Sequence, residues 1–202
     1  MKRLFLSLIV GVAANMACAQ GLRFGIKGGL NVSTLADEYY SERLGWNVGV
    51  VAKYDFNSKY GVEADLLYSK QRTRTGLVHT VLEKEYDWIE SSRYLQLPMT
   101  FKFYPVDKLY VEGGFQLGYL LKKETCWECY DEDLEEDITK TEDATGGSHR
   151  FDVGLVGGVG YEFSNGFFVN ARYVYGLAHT YKYSYCEDSR FRTFQVSVGY
   201  YF

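Results

Sequence analysis

Long uncharged runs are missing from most of this 202-residue sequence. Beyond residue 19, the longest stretch without Asp, Glu, Lys or Arg is ten residues, 193–202. A membrane-spanning helix needs about 20 apolar residues, so a bundle of transmembrane helices is excluded. An excess of positive charge is also missing, because 22 Lys and Arg face 26 Asp and Glu. The net charge of −4 argues against a basic nucleic-acid-binding protein, and 47% hydrophobic and 17% aromatic residues argue against disorder.

The N-terminus has the three parts of a secretory signal peptide. A basic start, Lys2-Arg3, precedes an apolar run over 4–14 and the small-residue pattern Ala17-Cys18-Ala19. We therefore predict a cleaved signal peptide at 1–19, Sec-type export, and a mature domain at 20–202 with a net charge of −6. A membrane anchor helix is disfavoured because the apolar run is short. A lipoprotein acylated on Cys18 is disfavoured because Asn15 occupies a position where a Leu-like residue is expected.

Apolar and polar residues alternate with a period of two along most of the mature chain. In 193–202, for example, Phe194, Val196 and Val198 alternate with Gln195 and Ser197. This period predicts strands rather than helices. Eight segments show it: 22–34, 44–56, 60–73, 93–104, 109–122, 150–163, 167–178 and 192–202. Three connections, 57–59, 105–108 and 164–166, are tight turns, and four are longer: 35–43, 74–92, 123–149 and 179–191.

The apolar face of these segments is too bulky for the inside of a small barrel. Side chains such as Trp46 and Phe56 would overfill an eight-stranded interior, whereas the polar face is rich in glycine. Aromatic residues gather at segment ends, as in membrane-interface girdles, and the final Phe202 resembles the C-terminal signal for the barrel-assembly machinery. We predict an all-β, eight-stranded antiparallel up-and-down transmembrane β-barrel in the cell outer membrane, with short periplasmic turns and long outer loops. A soluble barrel around an apolar ligand is the alternative.

The predicted lumen carries charges of both signs. Buried charges must pair, so this composition favours a salt-bridged plug over a water-filled pore, with an ion or proton path as the alternative. The predicted polar network consists of Lys27, Lys53, Glu63, Asp65, Lys102, Glu112, Asp152, Glu162 and Arg172.

Five segments together resemble the Bacteroidetes outer-membrane β-barrel family, often called PorT-like. They are 25–33 (GIKGGLNVS), 61–69 (GVEADLLYS), 94–104 (YLQLPMTFKFY), 110–121 (YVEGGFQLGYLL) and 167–177, which contains Ala171-Arg172-Tyr173. The resemblance spans most of the mature chain and implies an outer-membrane barrel. It implies no catalytic motif, and most members of the family have no assigned role. One member takes part in protein secretion, and we do not transfer that role.

The longest acidic stretch lies in the predicted loop after the fifth segment. Residues 124–143 contain ten Asp and Glu and one basic residue, Lys140. Such a block repels itself and is expected to stay extended unless it is neutralised. It is a plain solvated loop, a docking surface for a basic partner, or a divalent-cation site, although it lacks the glycine turn of a calcium loop. The candidate cation ligands are Asp131, Glu132, Asp133, Glu135, Glu136 and Asp137.

Three cysteines remain after cleavage of the signal peptide, in an oxidising compartment. Cys126 and Cys129 form a C-x-x-C at the start of the acidic stretch, and Cys186 lies in the last long loop. One disulfide is the simplest interpretation, either between Cys126 and Cys129 or to Cys186. A zinc site completed by His149 or His179 and a redox-active pair are the alternatives.

The sequence is poor in catalytic residues. It has three histidines, His79, His149 and His179, and the adjacent Ser148 and His149 would point to opposite faces of a strand. We predict a non-enzymatic barrel without cofactor, with a structural or binding role through its outer loops. An accessory part of a secretion or transport complex and a lipid-modifying enzyme are the alternatives. The predicted partners are outer-membrane lipid, the barrel-assembly machinery, and a protein or glycan at the outer loops, but no nucleic acid.

Overall fold

The computed structural model describes residues 21–35, 40–75, 87–131, 136–147, 149–177 and 191–202, and these are almost entirely strand. Within them no helix is long and apolar enough to cross a membrane. The strands are β1 (Leu22–Leu35), β2 (Tyr40–Asp55), β3 (Tyr60–Thr75), β4 (Asp87–Val106), β5 (Leu109–Asp131), β6 (Glu136–Asp143), β7 (Phe151–Glu162), β8 (Phe167–Gly176) and β9 (Phe191–Tyr201). A single-turn 3₁₀ helix, Thr145–Gly147, lies between β6 and β7.

Eight of these strands close into a ring. Antiparallel pairing runs from β1 through β2, β3, β4 and β5 to β7, β8 and β9, and β9 pairs back onto β1. Strand β6 stands outside the ring and pairs with the far end of β5. The predicted eight-stranded up-and-down barrel is confirmed, because each barrel strand pairs with its neighbours in chain order once β6 is set aside.

Three tight turns gather at one end of the barrel, which we call the turn end. In the first, the Asn57 side chain accepts hydrogen bonds from the backbone N–H groups of Lys59 and Tyr60 at 2.8 and 3.0 Å. The second and third turns place Lys108 (φ 70°) and Gly166 (φ 90°) in the left-handed region. Since β1 begins and β9 ends here, the first and last strands also meet at the turn end, as predicted.

At the opposite end, which we call the hairpin end, the strands are longer than predicted. Strand β4 begins at Asp87 instead of 93, and β5 continues to Asp131 instead of 122. The unpaired loop predicted over 123–149 is wrong for 123–131 and 136–143, because these segments form the β5–β6 hairpin. The polar and charged residues of these segments do not alternate clearly with apolar ones, so their sequence does not predict strands. Their backbone hydrogen bonds nevertheless continue the sheet, because a neighbouring strand supplies the partners.

The two faces of the barrel have opposite chemistry. Outward side chains are apolar and open, with Trp46 at 43%, Val50 at 54% and Phe56 at 56% exposure. Inward positions are buried and mostly polar, including Lys53 and Arg172 at 1–2% exposure. This is the reverse of a water-soluble protein, whose interior is mainly apolar. The predicted outward direction of the bulky side chains is therefore observed.

Candidate functional site

Arg172 on β8 lies at the centre of the lumen and contacts three buried carboxylates. Its Nη1 is 2.5 Å from Asp65 Oδ2, its Nη2 is 2.7 Å from Glu63 Oε1, and its Nε is 2.5 Å from Glu112 Oε1. Glu63 and Asp65 are two positions apart on β3, so both side chains point inward. Charge-assisted hydrogen bonds from a planar guanidinium to carboxylates are among the strongest that side chains make, so Arg172 links three strands across the barrel.

Two lysines complete this central cluster. Lys27 Nζ lies 2.9 Å from Asp65 Oδ2. Lys102 Nζ lies 2.5 Å from Glu63 Oε2 and 3.1 Å from the hydroxyl of Tyr201, which itself donates a hydrogen bond to Glu63. The central cluster therefore consists of three cations and three carboxylates, all within hydrogen-bonding distance of an opposite charge.

A second group of charges lies nearer the turn end. Lys53 Nζ is 2.7 Å from Glu162 Oε1, and the Tyr104 hydroxyl donates to the same carboxylate at 2.6 Å. Arg23 reaches Asp55 at 2.7 Å and is 40% exposed. These residues line a cavity of about 650 Å³ that opens at the turn end. The lumen charges are thus paired from the centre down to the rim of the barrel.

The structure brings eight of the nine predicted lumen residues into this chain of contacts. The exception is Asp152 on β7, which lies opposite Gly118 and makes no ion pair among the described residues. Asp152 stands closer to the hairpin end than the central cluster does, and sequence alone does not reveal this difference in level.

The predicted polar network names only charged residues, and the structure adds neutral and aromatic groups to it. Toward the hairpin end most of the buried polar groups are amides and hydroxyls, with Asn31 donating to Ser69 at 2.9 Å, and Lys123 adds one buried ammonium group. Four inward aromatic rings fill the space around the charges: Tyr104, Tyr110, Phe168 and Tyr201. The alternation in the sequence is sufficient to place Tyr110 in the lumen, because Tyr110 is two positions from Glu112 and therefore shares its face.

Inward glycines make room for these side chains. A Cβ atom on Gly160 would meet the Tyr110 ring, and one on Gly199 would meet the Phe168 ring. At Gly158 the Cβ would lie 2.7 Å from the Ala171 carbonyl oxygen and 2.9 Å from Glu112 Oε1. The glycine-rich polar face noted in the sequence thus lets large side chains pack inside a narrow barrel.

Gly158 and its neighbour Gly157 provide a matched test of this packing. We expect Gly158→Ala to lower the free energy of unfolding by about 1–3 kcal/mol, because the added methyl overpacks the lumen beside Glu112. Gly157→Ala is the control, since its Cβ would meet nothing within 4 Å, and its effect is expected to stay below about 1 kcal/mol. Urea titration of the two variants refolded in lipid vesicles measures the difference. Equal effects would contradict the packing argument.

Beyond the barrel, ion pairs connect the outer parts of β4 and β5. Glu124 Oε2 accepts from Arg93 at 2.9 Å, its Oε1 lies 2.7 Å from Lys122 Nζ, and Lys123 pairs with Glu90 at 3.0 Å. The hydrogen bond from Lys122 lowers the pKa of Glu124 below its ordinary value. The start of the acidic stretch is therefore partly neutralised by its own strand and by β4.

The candidate cation ligands are only partly described. The Cα atoms of Asp131 and Glu136 are partners at the tip of the β5–β6 hairpin, and Asp137 follows on β6, while Glu132, Asp133 and Glu135 lie outside the described residues. Within the described part of the chain, no cluster of three or more His, Cys, Asp or Glu could hold a metal ion. The cation site stays a prediction.

The cysteine geometry constrains the predicted disulfide. Cys126 and Cys129 both belong to β5, and three steps along an extended strand separate their Cα atoms by about 10 Å. A disulfide requires a Cα separation of about 4.4–6.8 Å, so a bridge between these two does not fit this strand.

Cys186, His79 and His179 lie outside the described residues, as does the predicted signal peptide. His149 is exposed just before β7.

A closed antiparallel barrel with an apolar exterior and a polar, ion-paired interior defines an outer-membrane β-barrel. The family model described as outer membrane protein beta-barrel domain matches residues 15–182. The chain therefore belongs to the outer membrane protein beta-barrel domain family, and the protein is located in the outer membrane.

Solved structures of outer-membrane proteins align with nearly the whole chain. Ail, the attachment invasion locus protein of Yersinia pestis, solved with the heparin analogue sucrose octasulfate, is 17% identical with a TM-score of 0.50, covering 91% of this chain and all of Ail. OprG from Pseudomonas aeruginosa is 16% identical with a TM-score of 0.42, covering 90% of this chain and 96% of OprG. At these identities the likeness to Ail supports the fold alone. No curated protein matches the chain.

Proposed function

We propose that this protein is a non-enzymatic outer-membrane barrel that is closed to ions and displays the hairpin end to the outside as a binding platform. The observation that carries the proposal is the ion-paired lumen centred on Arg172. Four buried cations and four buried carboxylates lie within 4 Å of opposite charges. An ion that entered would have to displace these pairs in a region of low dielectric, where breaking them is costly.

A binding role is further supported by where the strands project. The barrel wall ends in apolar side chains such as Leu121, while β5 continues for ten residues to Asp131. An extension of ordered strand beyond the apolar band has no lipid to contact, so it is available to other molecules.

Planar-bilayer recordings test the closed lumen. We expect the purified full chain to insert without producing large, stable conductance steps, because the Arg172 cluster occupies the bore. An outer-membrane porin reconstituted at the same density is the positive control for insertion and recording. Regular, reproducible steps of porin size from this chain would refute the proposal.

We also propose a finer placement among the PorT-like barrels of Bacteroidetes, exported by a cleaved signal peptide at 1–19. The proposal is supported by the combination of segments such as 25–33 and 94–104, which supply lumen residues Lys27 and Lys102. An accessory role in a secretion or transport complex is the second candidate function, and the projecting β5–β6 hairpin favours it because such a role needs a protein-binding surface.

A further inference from the structure

Five strands continue past the barrel as one sheet at the hairpin end. A single row of Cα partners crosses it from Ser41 on β2 through Arg74, Ile89 and Cys126 to Thr141 on β6. The sheet is therefore ordered across its width and not a lone hairpin. Strand β6 is its last member, and among the described residues it pairs with β5 and with no other strand.

The pairing pattern identifies which backbone groups of β6 face away from β5. Ala144 N–H donates to the Lys123 carbonyl oxygen at 2.9 Å, in register with the β5–β6 ladder. Antiparallel pairs alternate between hydrogen-bonded and non-hydrogen-bonded positions, so Glu142, Lys140 and Ile138 direct their backbone bonds to β5. The other edge of β6, with which no described strand pairs, is called the open edge. The alternate residues of β6 direct N–H and C=O to this edge: Asp137, Thr139, Thr141 and Asp143.

The negative charge around the open edge of β6 favours a positively charged partner. Strand β6 has four carboxylates and one lysine, and the hairpin places Glu124 opposite Asp143 and Asp131 opposite Glu136. Like charges on directly opposed residues are destabilising. A second copy of this edge would add the same repulsion, so pairing between two copies is disfavoured. An extended chain carrying Lys or Arg would relieve the repulsion while it satisfied the open backbone groups.

We propose that the open edge of β6 binds an extended basic segment of another protein by strand addition. In this mode, main-chain hydrogen bonds supply affinity and side chains supply selectivity. The edge is about 25 Å long, enough for a partner segment of roughly eight residues. The inference rests on the proposed binding role of the hairpin end and names its surface and the class of partner.

Binding of a synthetic peptide tests strand addition directly. The probe is a fluorescent eight-residue peptide in which Lys alternates with Thr and Val, titrated against the full chain in lipid nanodiscs. The control has the same sequence and charge but is N-methylated at four consecutive central residues. Because adjacent N–H groups point to opposite edges, the methyl groups block donors on both edges. We expect the methylated peptide to bind at least about tenfold more weakly, since several backbone hydrogen bonds are lost.

A pair of protein variants provides a second, independent comparison. Thr139→Pro removes an N–H on the open edge and no hydrogen bond to β5, whereas Thr139→Ala keeps the N–H. We expect roughly a tenfold loss of affinity for the proline variant and less than about a twofold change for the alanine variant. Affinity should also fall between about 0.1 and 1 M NaCl, as the screening length shortens from about 10 to 3 Å.

Equal affinity for the methylated and unmethylated peptides would overturn the proposal, because it would show that charge alone causes binding and that backbone hydrogen bonds contribute nothing. Failure of the unmethylated peptide to bind would overturn it as well. Planar-bilayer recordings on the same protein preparation distinguish failure of strand addition from failure of the proposed closed barrel. A closed barrel without peptide binding refutes strand addition alone, whereas a conducting pore refutes the closed platform whatever the peptide does.

Discussion

Replacing Arg172 with methionine is expected to lower the free energy of unfolding by about 3–5 kcal/mol, the cost of leaving buried charges without their partner. The guanidinium contacts Glu63, Asp65 and Glu112, and the remaining Lys27 and Lys102 cannot neutralise all three. Urea titration of the barrel refolded in lipid vesicles, followed by tryptophan fluorescence, measures the loss.

Arg23→Met is the matched control, because the same substitution is made at a guanidinium that is 40% exposed at the rim. Solvent screens this pair, and the expected loss is below about 1 kcal/mol. The double variant Arg172→Met with Glu112→Met separates charge from volume, since it should regain part of the loss by removing an uncompensated carboxylate. Equal losses for Arg172→Met and Arg23→Met would show that the central cluster does not stabilise the barrel.

Replacing Val50 with arginine is expected to lower the free energy of unfolding of the bilayer-inserted barrel by about 2–4 kcal/mol, the cost of a lipid-facing charge near the midplane. Val50 is 54% exposed and lies on the outward face of β2, between Trp46 and Tyr54. In a water-soluble barrel the same position would be solvated and the change nearly neutral. The substitution therefore distinguishes the two environments.

Ser58→Arg in the first tight turn is the control, since this position is exposed at the turn end and should change the free energy by less than about 0.5 kcal/mol. Both variants are compared by urea titration in vesicles of one lipid composition. If Val50→Arg were as stable as Ser58→Arg, the outward face could not be the face that contacts lipid.

The inverted barrel explains why the lumen can hold so many charges. Because the apolar side chains of the exterior are covered by lipid, the barrel does not require an apolar core. Ion pairs and inward aromatic rings occupy the interior instead. Lys102 illustrates the arrangement, because its ammonium group pairs with Glu63 and lies 4.0 Å from the centroid of the Tyr110 ring.

Sequence alternation was sufficient to predict the barrel strands and their faces. In a strand with a period of two, each side chain points either into the lumen or toward lipid. Because large apolar side chains do not fit inside a narrow barrel, Trp46 and Val50 could be placed outward and Lys53 inward without a structure. The same rule should have placed Tyr110 and Tyr201 in the lumen. Counting aromatic residues at segment ends as membrane-interface residues by type overlooks the inward position of Tyr201, and Tyr110 has no predicted face.

The pairing of the lumen charges was decided by the tertiary structure. Residues from β3, β5 and β8 meet at Arg172 only because barrel closure and strand stagger bring Glu63, Glu112 and Arg172 to one level, and stagger is a property of the closed ring. Asp152 has the same alternation and misses the cluster for this reason.

The sequence by itself determined the inward and outward faces, since these depend on local periodicity. Only the tertiary structure decided that the described parts of the acidic stretch after 123 form the end of β5 and the strand β6, which pairs on one side only within the described residues, because strand pairing depends on what lies alongside. The long outer part of β4 supports β5, and β5 in turn supplies the hydrogen bonds that hold β6. Backbone pairing with a neighbour outweighs the mutual repulsion of the carboxylates that argued for a loop.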